Sequence, residues 1–302
     1  MRSGQFSFIL PGFFLIAFVL TAFSGNARSA PSSLISKAAV QRAAPTDLEI
    51  GGDLASLPAG STRYLSREDL LRLPQVTFTA TNDPNFTKPT EVSGVLVETL
   101  VSEISGSPDA DLAIAISSDQ YRGHYPRAYR QEHHPVLVLK VNGQPPDRWS
   151  KDSEGHGLEM GPYMISHQDF KPAFRVLAHE DEPQIPWGVV RMEFRDEKKV
   201  LSAIAPQGSG DSVGKAQDGY RIAQQNCFRC HNMNVEGGRK AHRPWLVLAA
   251  WAESSPDYFA GYVRNPQAQN PRAQMTANPT YDDATLQALI AYFRTFAPAE
   301  KP

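Results

Sequence analysis

Apolar residues alternate with polar ones at Val76, Phe78 and Ala80, and form runs over residues 112–116, unbroken, and 136–141, interrupted only by Lys140. Alternation places every second side chain on one face of a strand, and an unbroken short run reads as a strand covered on both faces. Short helices are predicted over 67–73, with Ser66 as N-cap, and over 96–105. Asn142-Gly143 and Gly161-Pro162 mark turns between these elements. Strands interspersed with short helices predict an α+β domain over residues 48–201. The polar stretch Pro206-Gln207-Gly208-Ser209-Gly210-Asp211-Ser212 lies in a linker predicted over 202–213. Beyond it the pattern becomes helical, and residues 214–298 read as an all-α domain. A short helix is predicted over 219–226, and Ser255-Pro256-Asp257 is a helix start. Leu286, Leu289, Ile290, Phe293 and Phe296 fall at helical spacing in a last helix predicted over 282–296.

The chain of 302 residues is long enough for two modest domains. A net charge of −2 with no basic run argues against nucleic acid as a partner. The apolar stretch 6–23 follows Arg2 and precedes Ser24-Gly25-Asn26-Ala27-Arg28-Ser29-Ala30, which reads as a secretory signal over 1–29. An uncleaved anchor is the alternative, and only then is a membrane a partner. Residues 30–47, rich in Ala, Ser and Pro, read as a flexible lead-in.

Cys227-Phe228-Arg229-Cys230-His231 is the segment that carries chemistry. Two thiols three positions apart, followed at once by a histidine, form the attachment signature of c-type haem. On a helical turn such thiols share a face. Both sulfurs then reach the two vinyl groups on one porphyrin edge, and His231 lies under the ring as an iron ligand. The competing readings are a chance motif, a disulfide or a zinc site. Zinc ordinarily takes more thiols or well-spaced histidines, and the chain has only these 2 cysteines. One covalent haem c is the expected cofactor. It agrees with export, because covalent haem attachment in such proteins takes place outside the bacterial cytoplasm, and the expected location is the periplasm.

Residues 214–297 resemble class I cytochrome c beyond the haem motif. Gly219 sits where that family places a glycine for close helix approach. Pro244-Trp245-Leu246 resembles the family's Pro-x-Leu segment, which implies that the Pro244 carbonyl orients His231. Asn270-Pro271-Arg272-Ala273-Gln274-Met275 resembles the loop delivering the sixth ligand, and Leu289-Ile290-Ala291-Tyr292-Phe293 the closing helix. The resemblance implies iron held by His231 and Met275. Thr276 departs from the proline usual after the methionine, leaving the loop less rigid. His242 is the rival ligand; Met233 follows His231 too closely to cross to the other face. An all-α domain this small is marginal on its own apolar burial, so the porphyrin is expected to supply part of the core.

Residues 60–196 resemble, in order, the sulfite-oxidase-type molybdopterin-binding domain. The resemblance rests on Leu65-Ser66-Arg67-Glu68-Asp69-Leu70-Leu71-Arg72-Leu73-Pro74, Ser93-Gly94-Val95-Leu96, Ser118-Asp119-Gln120-Tyr121, Asn142-Gly143-Gln144-Pro145, Gly161-Pro162-Tyr163 and Trp187-Gly188-Val189-Val190. That family binds molybdenum through a cysteine, and this region has none. A degenerate relative without molybdopterin is expected, serving to dock a partner or bind a small ligand. His133-His134 beside Glu132 reads as solvated loop, as does His179-Glu180-Asp181-Glu182, which would at most steer a basic partner. Asp119, Tyr121 and His124 read as turn and packing residues with a pocket as the alternative. Trp245 and Trp251 read as haem-pocket or helix-packing residues.

The combined expectation is an exported monohaem cytochrome without substrate chemistry of its own. It would pass single electrons from a periplasmic dehydrogenase to a cytochrome or oxidase. Two rivals are a self-contained molybdopterin-type oxidoreductase with a haem outlet, and a haem-based sensor.

Overall fold

The computed structural model describes Met1 and residues 33–54, 57–105, 110–149, 160–208 and 211–297. The expected signal segment lies outside the described residues. The first region is built on a nine-stranded sheet. Its strands are β1 (Leu48–Gly52), β2 (Arg63–Leu65), β3 (Val76–Ala80), β4 (Thr90–Leu96), β5 (Leu112–Ser117), β6 (Arg122–Pro126), β7 (Val136–Val141) and β8 (Tyr163–Ser166). The ninth is β11 (Trp187–Arg195), after a small separate hairpin of β9 (Arg175–Val176) and β10 (His179–Glu180). The order is β2-β1-β11-β8-β7-β4-β3, with β5 on β11 and β6 on β5. Pairing is antiparallel except for β1 with β11.

The strands form where the alternation and apolar runs predict. Along β3, Phe78 and Ala80 are buried while Thr77 and Thr79 face out. Asn142 and Gly143, with φ of 49° and 72°, turn the chain after β7 in the left-handed conformation that Asn and Gly tolerate best. Helix α1 (Ser33–Lys37) precedes the sheet; α2 (Arg67–Leu71), α3 (Val97–Leu100) and α4 (Arg127–His133) lie between strands, followed after β11 by α5 (Glu197–Ser202). Ser66 caps α2 with Asp69 closing a capping box. A π-helical turn, Val101–Ser105, extends α3.

The second region is almost entirely helical: α6 (Asp211–Asn226), α7 (Trp245–Ser254), α8 (Pro256–Arg264), α9 (Pro266–Gln269) and α10 (Asp283–Arg294). The molecule therefore has the expected fold class, a mixed β-sheet region with short helices followed by an all-α one. Helix α6 starts well before the predicted residue 219, because its first turns are polar and carry little periodic signal. A Cβ on Gly219 would lie 2.0 Å from the Ala288 carbonyl oxygen, so only glycine lets α6 and α10 cross this closely. Asp282 caps α10 through Thr285 N. Ser255 precedes α8 without a side-chain cap; Pro256 at the first position, with no N–H to satisfy, starts the helix instead.

Strand β5 joins the two regions. Ala113 and Ala115 point into the core of the β-rich region, with Val95, Leu137 and Met192. Leu112, Ile114 and Ile116 point the other way, into a core shared with Phe228, Trp245, Leu289 and Phe293. Both faces are apolar because both are covered. Ile204, just past α5, is buried in the same shared core, and its carbonyl accepts a 2.5 Å hydrogen bond from the Tyr292 hydroxyl.

Three expectations are corrected. The lead-in is tied down where it is described: α1 buries Ile35, Ala39 pairs with Tyr64, and Asp47 accepts from the Ala43 and Ala44 amides. His133 ends a helix rather than lying in a solvated loop, and its Nε2 lies 2.9 Å from the Asp181 carboxylate. The run 179–182 is solvated only in part, with Glu180 exposed. His179 and Asp181 are buried against the helical region, where Gln225 contacts both.

Candidate functional site

Helix α6 ends at Asn226 and the chain winds on through one more turn. Cys230 N and His231 N donate to the Cys227 carbonyl at 3.1 and 2.9 Å. This winding divides the five residues. Phe228 goes inward, edge-on to Trp245 at 5.7 Å and stacked on His124 of β6 at 5.0 Å. Arg229 turns to Glu182 of the β-rich region, at 2.8 Å. Cys227, Cys230 and His231 line a cavity of about 600 Å³, within the range of cofactor sites. A Cβ on Gly238 would fall 1.9 Å from the Arg229 carbonyl oxygen, so a glycine is required where the returning chain presses on this turn.

The His231 ring nitrogens are distinguished by their partners. Nδ1 lies 2.6 Å from the Arg243 carbonyl oxygen. A carbonyl only accepts, so Nδ1 carries the proton and Nε2 keeps its lone pair. Burial lowers the pKa of His231, which favours the neutral ring that a metal requires. The orienting carbonyl belongs to Arg243, not to Pro244 as the resemblance implied. The Pro244 carbonyl is used one residue later, accepting from Val247 N and Leu248 N at 2.9 and 3.4 Å as α7 begins.

The two cysteines are free, and burial pushes the Cys227 thiol up to about 12 and that of Cys230 upward. Neutral thiols beside an apolar cavity are poor nucleophiles and poor thiolate ligands. Among the described residues, no group of three or more His, Cys, Asp or Glu could hold a metal ion.

Met275 lines the same cavity, and so does the exposed His242; Met233 is not among its lining residues. The Met275 loop is held by amides. Gln267 Nε2 donates to the Ala273 and Met275 carbonyls at 3.0 and 3.1 Å, and Asn278 Nδ2 reaches the Val263 carbonyl at 3.0 Å. These bonds supply restraint that the resemblance expected from a proline at Thr276.

Leu248, Phe259, Val263, Leu289 and Phe293 form an apolar lining. The donor set therefore fits a haem: two thiols, one imidazole with a free lone pair, and a thioether beside a largely apolar cavity. Residues 214–293 match the family Cytochrome C oxidase, cbb3-type, subunit III. The helical region is a cytochrome-type domain. No curated protein matches the chain. Among solved structures, the sulfane dehydrogenase SoxCD from Paracoccus pantotrophus is similar at 18% identity and a TM-score of 0.35. That match covers 52% of this chain and 40% of that one, so the chain spans less than half its length.

The cytochrome-type domain does not enclose the cavity alone. Ser117, Asp119, Tyr121, Glu182, Pro186 and Trp187 of the β-rich region form part of its wall. Asp119 and Tyr121 are thus pocket residues, while His124 packs behind them. Main-chain bonds clasp the same wall: Arg122 N donates to the Arg229 carbonyl at 2.9 Å, and Arg239 N to the Gln120 carbonyl at 3.0 Å. Glu182, Trp187, Gln267 and Asn278 were not singled out by sequence reasoning as site residues. Nothing local marks them, since each acts across a long separation or through an ordinary amide. Trp251 lies on the cavity, with the Arg243 guanidinium 4.8 Å from its ring, while Trp245 is core.

Proposed function

We propose that this protein is an exported monohaem c-type cytochrome that passes single electrons between a periplasmic dehydrogenase and a downstream cytochrome or oxidase. The reading is carried by one observation: Cys227, Cys230, His231 and Met275 line one apolar cavity, with the His231 proton committed to the Arg243 carbonyl. A haem bound there supplies reversible one-electron exchange between ferric and ferrous iron. Cys227 and Cys230 would hold it by thioethers, and His231 and Met275 would ligate its iron. With both positions filled by side chains, no open site remains for substrate. The β-rich region walls the cofactor and offers a surface for the partner. The chain has no cysteine besides Cys227 and Cys230, so we read this region as carrying no molybdopterin. Expression of the full chain with a cytochrome c maturation system tests the reading. We expect one iron and one covalent haem per chain by pyridine haemochrome assay; a colourless mature protein, or stoichiometric molybdenum beside the iron, overturns it.

A further inference from the structure

Arg229 carries a permanent positive charge between the two thioether positions. Its side chain is only 16% exposed, and its Nε also donates to the Asn226 carbonyl at 3.1 Å. The countercharge comes from outside the cytochrome-type domain. Glu182 Oε2 lies 2.8 Å from Arg229 Nη2, with Arg229 and Glu182 47 residues apart in sequence. Glu182 is held in place rather than free to wander. Its own amide donates to Gln225 Oε1 at 3.3 Å, and the neighbouring Asp181 carboxylate accepts from the Ala173 amide at 3.0 Å and from Gln225 Nε2. Both Arg229 and Glu182 line the cavity. The other paired charges on that wall are Lys240 and Asp119, 2.9 Å apart and both more exposed.

Resting on the cytochrome reading, we propose that Glu182 is a positioning and tuning residue through which the β-rich region sets the reduction potential of the haem site, by neutralising the buried charge of Arg229. Iron changes its charge by one unit on reduction. A nearby uncompensated cation favours the ferrous state and an uncompensated carboxylate the ferric state; Arg229 is mostly shielded from water, whereas Glu182, 36% exposed, is screened more. The pair as built cancels most of both effects. It makes the potential depend on the contact between the two regions rather than on the cytochrome-type domain alone.

The test is redox titration of the full-length haem-loaded protein with Glu182→Gln, Arg229→Gln, the double variant and Glu182→Asp. Glutamine keeps the size and one hydrogen bond of glutamate while removing its charge. E182Q should raise the potential and R229Q lower it, each by about a tenfold change in the ferrous to ferric ratio, or about 59 mV for one electron. The double variant should return close to the starting value and E182D should stay there. A merely structural role gives a different result: a loosened wall admits water and shifts E182Q and R229Q in the same direction. That result, or no shift in E182Q, overturns the proposal. If R229Q does not mature, E182Q against E182D still decides. Failure of the unmodified chain to take up haem is a separate outcome, since it removes the cytochrome reading and this proposal with it.

Discussion

The two regions solve the problem of a core in opposite ways. The β-rich region fills its interior with its own side chains: Ile35, Leu48, Ile50, Leu65, Val95, Leu137 and Phe194 meet in one continuous cluster. The cytochrome-type domain instead wraps helices around a cavity of about 600 Å³. One side of its own core is completed by Leu112, Ile114 and Ile116 from the neighbouring sheet. The first fills its main core with its own side chains and leaves one face of β5 to its neighbour. The second borrows from its neighbour and, on the proposed reading, from a cofactor, as expected of a helical unit too small to stand alone.

The sharpest way to break this contrast is to deny the cavity its filling. Cys227→Ala with Cys230→Ala, expressed with the maturation system, should lose most of the helical circular-dichroism signal of the cytochrome-type domain. The β-rich region should survive as a protease-resistant fragment, and full helicity without haem would show the domain to be self-sufficient after all. Next in size is the axial position. Met275→Ala should lower the potential and give rapid carbon monoxide binding in the reduced protein, whereas His242→Ala should do neither; the reverse pattern would make His242 the ligand.

A third experiment probes the borrowed wall. Ile114→Ala removes buried methylenes from the shared core and should cost about 2–5 kcal/mol. The midpoints of denaturant unfolding of both regions should fall together. A shift in the β-rich region alone would mean that the sheet lends nothing.

The effect that is smallest near neutral pH, and grows only in acid, is on pH dependence. Burial, reinforced by the Arg122 charge, holds His124 at about 3, and burial with His133 nearby holds His167 at about 3. An unfolded histidine titrates near 6.5. Between these values the unfolded chain binds more protons than the folded one, so stability falls as pH drops from about 6.5 toward 3, by up to about 1.4 kcal/mol per pH unit per histidine. His124→Phe, which preserves the stack on Phe228, should flatten that slope by one such increment in denaturation titrations at stepped pH.

How much was legible in the sequence follows the same division. The haem motif could be read because it is local, and the Gly219 contact only through the resemblance to class I cytochrome c, whose steric reason the structure supplies. Strands β3, β5 and β7 were visible through period-two and near-continuous apolar runs. The unbroken run of β5 announced burial on both faces but not that the second face belongs to another domain, because pattern records coverage and not the identity of the cover. The resemblance pointed to Pro244, but its carbonyl is taken up by the start of α7 and the Arg243 carbonyl meets His231 instead; helix boundaries shift by a residue or two in any sequence reading. His133 and the run 179–182 were misjudged for a different reason. Their partners, Asp181 and Gln225, lie on distant elements, and polar residues look solvated until the fold brings such groups together.

The main-chain straps from Gln120 and Arg122 onto Arg239 and Arg229 bear on the order of biosynthesis. Once they close, the thiol-bearing turn is hemmed in from the side of the sheet, and any machinery that forges thioether bonds has lost one approach. On the cytochrome reading, attachment before the halves dock keeps that approach open, which makes docking of the two regions, rather than folding of either, the late step. A cross-link engineered to join the halves prematurely should yield a chain that never turns red.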